Sequence, residues 1–167
     1  EIVRRFNHMF GDVFPEPRAK LTEAPLIVGL DGQQKMSKTL DNHIDIAATP
    51  EETIKRVRTA FTDPQRTLRS IPGRPDKCNV YSLHKLFNPG DVDTVYRECT
   101  TAQRGCVDCK QHLAEGINRY LESFRERRRV FEARPSDVDD VLAEGGKRAR
   151  VIACETIAEV TEKMGLA

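Results

Sequence analysis

Two lysines flank a serine in the loop Gly29-Leu30-Asp31-Gly32-Gln33-Gln34-Lys35-Met36-Ser37-Lys38-Thr39, and these residues are the ones best suited to chemistry on a phosphate. Lys35 and Lys38 offer mobile ammonium charges, Ser37 a hydroxyl donor, and the loop its backbone N–H groups. That set suits a loop holding a polyphosphate while negative charge moves during reaction. The spacing is not that of a Walker-type glycine loop, and the plain alternative is a solvated turn with two surface lysines. The second chemical signal is sulfur. Cys78, Cys99, Cys106 and Cys109 follow the pattern Cys-x20-Cys-x6-Cys-x2-Cys. With no secretory mark on the chain, this clustering points to metal rather than disulfide. Four thiolates are the usual complement of a zinc site or an iron–sulfur cluster, and spacing does not separate the two. His84 and His112 lie close enough in sequence to replace one thiolate as ligand. The plain alternative is buried thiols packing as small apolar residues, and Cys154, amid Val151, Ile152 and Ala153, takes that reading.

The elements that must carry these groups are mainly helical. Ile2, Val3, Phe6, Met9 and Phe10 recur at helical spacing and Gly11 follows, which predicts a helix over 1–10 with one buried face. Ala24 to Leu30 is an apolar run between breakers; it predicts a buried strand that delivers the lysine loop from its end, a placement common in open α/β sheets. Thr49-Pro50-Glu51-Glu52 has capping-box spacing with proline at the first helical position, and Ile54, Val57 and Phe61 recur behind it, predicting a helix from 50 to about 61. Pro72, Gly73 and Pro75 make 65–77 an irregular connection, and helices are expected over 79–87 and 91–99. A long helix is predicted over 108–133. Another starts at Ser136, and Gly145-Gly146 is its candidate point of interruption.

Composition excludes more than it selects. The 167 residues are 38% apolar and 32% charged, with 27 basic against 26 acidic side chains. A net charge of +1 rules out a charge-driven, histone-like nucleic-acid binder but allows a local basic face. No apolar run approaches the roughly 20 residues of a membrane helix, and nothing resembles a signal peptide, so a cytoplasmic protein is expected. Basic residues gather at Arg66, Arg69 and Arg74, at Arg125-Glu126-Arg127-Arg128-Arg129, and at Lys147-Arg148-Ala149-Arg150.

Gly29-Leu30-Asp31-Gly32 followed by Lys35-Met36-Ser37-Lys38-Thr39 resembles the KMSKS signature of class I aminoacyl-tRNA synthetases, with Thr39 in place of the usual final serine and its hydroxyl kept. Glu1-Ile2-Val3-Arg4-Arg5-Phe6-Asn7, Phe14-Pro15-Glu16-Pro17, Phe61-Thr62-Asp63-Pro64 and Cys78-Asn79-Val80-Tyr81 resemble the tryptophanyl-tRNA synthetases, in family order over nearly the whole chain. The family's HIGH motif is missing: none of His8, His43, His84 and His112 begins such a sequence, and residue 1 is Glu. The resemblance therefore implies the C-terminal part of a longer enzyme. Residues 1–48 would be the fringe of a Rossmann-like catalytic domain, its last helix, strand and KMSKS-type loop; residues 49–167 would be a helical anticodon-binding domain with the four-cysteine metal site.

The resemblance further implies activation of tryptophan with ATP and Mg2+ and its ligation to tRNA(Trp), with Lys35 and Lys38 catalytic and Leu26, Lys35, Met36, Ser37, Lys38 and Thr39 binding ATP. The adenine would lie against the backbone near Leu26 and Ile27. Some family members carry a 4Fe–4S cluster on a closely similar cysteine pattern, so Cys78, Cys99, Cys106 and Cys109 are the expected ligands, with zinc as the alternative; the first interval is slightly short, which singles out Cys78. Either of the last two basic groups is a candidate for tRNA contact. The full-length enzyme is expected to be a homodimer without membrane association, and the isolated chain inactive. Two other readings stay open: a non-catalytic, metal-stapled helical RNA-binding module, and a tyrosyl-type class I synthetase.

Overall fold

Thr49 takes an extended backbone and accepts the Glu52 N–H on its hydroxyl, while the Glu52 carboxylate accepts the Thr49 N–H, so both halves of the expected capping box form. The computed structural model describes residues 1–166. Among them it places six α-helices: α1 (Ile2–Phe10), α2 (Pro50–Arg58), α3 (Asn79–Phe87), α4 (Val92–Thr100), α5 (Cys106–Glu132) and α6 (Pro135–Lys163), with single 3-10 turns at Pro75–Lys77 and Pro89–Asp91. None is long and apolar enough to cross a membrane.

The chain divides into two compact units, Thr22–Arg127 and a second made of Glu1–Leu21 with the chain from Arg128 onward. In the first, Val57 and Ala60 from the region of α2, Val80 and Leu83 from α3, and Leu113, Ala114, Ile117 and Leu121 from α5 form one buried cluster that includes Leu30 at the base of the lysine loop. Each large side chain buried there removes apolar surface worth about 1.5–3 kcal/mol. Cys78 and Cys109 pack against this same cluster. Tyr81 of α3 and Tyr96 of α4 stack at 5.8 Å between ring centroids. The lysine loop and two of the four cysteines thus share one hydrophobic foundation.

Three expectations are corrected. The run Ala24–Leu30 does not form a buried strand: Val28 makes a single antiparallel bridge to Lys35, and Leu26 is 61% exposed. The run folds back on its own loop because no other described segment offers it an extended edge to pair with. In the second unit, α1 buries none of its residues; Phe6 instead packs on Phe10 and Phe14, at 5.0 and 5.1 Å. Finally, α6 runs through Gly145-Gly146 without a break. It starts at Pro135, which needs no N–H at that position.

Candidate functional site

The lysine loop is a tight hairpin organised by one buried asparagine. Gly29 donates to the Gln34 carbonyl at 2.8 Å and Met36 to the Ile27 carbonyl at 2.9 Å, closing the two arms. Asp31 accepts the N–H groups of Gln33 and Gln34 at the tip, which holds its carboxyl below the usual range. Asn42, only 4% exposed, fills the space behind. Its Oδ1 accepts the Ser37 N–H at 2.7 Å, and its Nδ2 donates to Asp31 Oδ2 at 2.7 Å and to the Lys35 carbonyl at 3.2 Å. A Cβ at position 29 would meet Asn42 Nδ2 at 2.2 Å, so glycine is what lets the asparagine in. Gly32 sits at φ 72, in the left-handed region.

The result is a loop with a fixed back and a free front. Lys35, Lys38 and Thr39 are exposed, Met36 and Ser37 half-buried. Leu26 stands exposed at the entrance. Among the described residues neither lysine is held in an ion pair. Two ammonium groups on a backbone with Ser37 between them can meet an anion without first giving up an acidic partner. Asn42 was not singled out from the sequence; an asparagine three residues past Thr39 reads as a turn residue, and only its burial gives away its role.

The four cysteines come from three places in the chain to one small cavity. Thr62, Arg66, Cys78, Val80, Cys99, Arg104, Cys106 and Cys109 line it. Cys78 precedes α3, Cys99 ends α4, and Cys106 and Cys109 occupy the first turn of α5. Burial raises the Cys99 thiol, and it pushes Cys109 up to about 12, with the other thiols adding to the effect. Arg66 reaches in from the long connection: Nη1 lies 3.6 Å from Cys99 Sγ and 3.9 Å from Cys106 Sγ. Arg66 is itself fixed by the carbonyls of Ile71 and Arg104, at 2.8 and 2.7 Å. Gly73 donates to the Cys99 carbonyl at 2.9 Å, and a Cβ there would meet Cys99 Sγ at 2.5 Å.

Among the described residues no three His, Cys, Asp or Glu side chains stand ready-made to hold one ion. The chemistry of the donor set nevertheless fits a thiolate-bound metal group: four thiols face one cavity, no disulfide joins them, and a guanidinium beside two of them offsets anionic sulfur. Neither His84 nor His112 lines it. His84 Nδ1 meets Asn88 Nδ2 at 3.0 Å, and its Nε2 lies 3.2 Å from the Cys109 carbonyl and 3.4 Å from Cys109 Sγ. Burial drops His84 to about 4, so it is neutral at pH 7. His112 takes an Arg104 N–H on Nδ1 at 3.1 Å and faces Asp91 with Nε2 at 3.0 Å.

The basic groups separate into inward and outward sets. Arg74 pairs with buried Asp63 at 2.5 Å and draws its carboxyl down to about 2. Arg125 is also buried, donating to Thr53 Oγ1 and Asn118 Oδ1, each at 2.9 Å, so within its basic group it faces inward. Arg127, Arg128, Arg129, Lys147, Arg148 and Arg150 are exposed.

A model of the family described as tRNA synthetases class I (W and Y) matches residues 1–122. The tryptophan–tRNA ligase of Aquifex aeolicus is 44% identical over 99% of the chain and 42% of the relative. That of Deinococcus radiodurans is 45% identical over 99% of the chain and 51% of the relative. Among solved structures, the tryptophanyl-tRNA synthetase of Campylobacter jejuni, complexed with ADP and tryptophan, superposes with a TM-score of 0.79 at 30% identity, over 99% of the chain and 51% of that structure. The chain thus spans about half the length of the relatives it matches.

Proposed function

The chain belongs to the class I tRNA synthetases of the W and Y type, and from that premise we propose that it is the ATP-loop and anticodon-binding half of a tryptophan–tRNA ligase. The observation that carries this reading is the Asn42-backed hairpin, which holds Lys35 and Lys38 exposed with the half-buried Ser37 between them. In such an enzyme the tryptophan carboxylate attacks the α-phosphate of Mg2+-bound ATP, the bond to the β-phosphate oxygen breaks, and pyrophosphate leaves. Lys35 and Lys38 stabilise the charge gathering on the departing pyrophosphate, while the Met36 and Ser37 backbone sets their position. No proton need be taken by this segment. Tryptophan rather than tyrosine is supported by the relatives' names, since the family model covers both.

On this reading residues 1–48 belong functionally with the catalytic domain and 49–167 with the anticodon-binding domain. Either the exposed basic residues at 127–129 or those at 147–150 are the candidates for contact with tRNA(Trp), whose unstacked anticodon bases favour arginine planes. A cytoplasmic homodimer is the proposed setting. Cys78, Cys99, Cys106 and Cys109 would hold a 4Fe–4S cluster, or a zinc ion in its place. When bound, either group would tie the start of α3, the end of α4 and the start of α5 together, and the iron form could also take up an electron.

Elemental analysis of anaerobically purified protein tests the thiol site. About four irons and four sulfides per chain, lost in Cys106→Ser, support the cluster; about one zinc replaces it with a structural ion; neither metal refutes the site. The function itself is tested by charging assays on the protein that carries this segment together with the upstream half. Attachment of tryptophan to tRNA(Trp) is expected, and preferential attachment of tyrosine would overturn the assignment.

A further inference from the structure

The hydrogen-bond pattern behind the thiol cavity determines where the proton of His84 sits. Asn88 is the key, because its side-chain amide is fixed at both ends by groups that can act in only one direction. Its Nδ2 lies 3.2 Å from the His112 carbonyl, which can only accept, and its Oδ1 lies 3.2 Å from Arg119 Nη2, which can only donate. The amide therefore cannot be flipped. The same Nδ2 faces His84 Nδ1 at 3.0 Å, so that ring nitrogen must be the bare acceptor. A bare Nδ1 leaves the buried ring's one hydrogen on Nε2. There its partners among the described residues are the carbonyl and the sulfur of Cys109, at 3.2 and 3.4 Å.

We infer that His84 is a positioning residue for Cys109: Asn88 locks it as the Nε2–H tautomer, and that hydrogen is directed at the Cys109 carbonyl and sulfur. This rests on the four-thiol site proposed above. A thiol sulfur is a weak acceptor and leaves the hydrogen to the carbonyl; a thiolate is a strong one and draws it over. The device therefore aims a donor at the sulfur that would ligate, and it fixes the sulfur's direction. The packing has been kept clear for it: a Cβ at Gly116 would meet Asn88 Oδ1 at 2.0 Å, so any larger residue there would displace the amide.

Two measurements on this chain decide the matter. Long-range proton–nitrogen NMR of the metal-free protein reads the tautomer directly. Nε2–H at His84 is expected, changing to Nδ1–H in Asn88→Asp, whose carboxylate can only accept; Nδ1–H in the unmodified protein overturns the inference. The second is titration with cobalt(II), followed by its sulfur-to-metal absorption against a competing chelator. His84→Phe and Asn88→Asp should each weaken cobalt binding roughly ten- to a hundredfold, the usual effect of losing a second partner of a metal ligand, and His84→Gln, whose amide can still donate, should recover part of it. Unchanged affinity in His84→Phe overturns the positioning role. Failure of the unmodified protein to take cobalt on sulfur overturns the four-thiol reading and the role with it. That failure shows before any variant is compared, and the NMR result still decides the tautomer.

Discussion

A single buried amide decides how the lysine loop stands. Asn42 satisfies the Ser37 N–H, the Lys35 carbonyl and the Asp31 carboxylate together, and no one of these bonds is visible in the order of residues. The sequence shows the reactive groups because lysine and serine carry their chemistry in their identity; it hides their support because asparagine after a loop is ordinary turn chemistry. Replacing Asn42 with Ala should cost about 1–3 kcal/mol locally, since buried partners lose their bonds. Amide hydrogen exchange checks this: the Ser37 N–H should exchange roughly ten- to a hundredfold faster, and an unchanged rate would remove Asn42 from the account. Asp63 makes a second prediction at this scale. Arg74 lowers its folded-state carboxyl to about 2 from an ordinary 3.8, so the pair contributes stability above about pH 4 that is lost as pH falls toward 2. In urea unfolding between pH 5 and pH 2, the stability advantage of the natural protein over Asp63→Asn should shrink across that window.

At the scale of elements, helices were legible wherever local chemistry and apolar spacing agreed. Thr49, Pro50 and Glu52 announce the start of α2, and both capping bonds form. Two departures have physical causes. Ala24–Leu30 reads as a strand because apolar, β-branched residues between breakers fit one, yet a strand exists only through a partner, and none of the described segments supplies it. Gly145-Gly146 reads as a break because each glycine costs about 1 kcal/mol in a helix, but a helix of 29 residues propagates through such a loss. That reasoning has a direct test. Added Cβ atoms at 145 and 146 meet nothing within 4 Å, so the double change to alanine should stabilise α6 by about 1–2 kcal/mol and raise the melting temperature of the helical signal. A lower melting temperature would mean that the pair is kept for a close neighbour or a bend.

At the scale of the molecule, the cysteine pattern pointed to a shared thiol site; the four cysteines line one cavity, though among the described residues no three potential ligands stand ready-made to hold one ion, and the pattern could not foretell the groups around them. Arg66 arrives from a stretch that the sequence gives only as irregular, and His84 sits on a face of α3 that reads as ordinary helix, with Asn88 in the turn just beyond it. The lysine loop and the thiol cavity are joined through the core: Asn79, next to Cys78, donates to the Gly29 carbonyl at 2.7 Å, and Phe61 to that of Leu30 at 2.7 Å. The most direct test of the whole account is tryptophan-dependent exchange of pyrophosphate into ATP. It should be measured on the protein that carries this segment with its upstream half, natural and with Lys35→Ala or Lys38→Ala. The 167 residues alone should give no exchange, the completed protein should give it with tryptophan and not tyrosine, and each lysine change should lower kcat roughly 100- to 1,000-fold. Exchange by the 167 residues alone, or full exchange without both lysines, would contradict it.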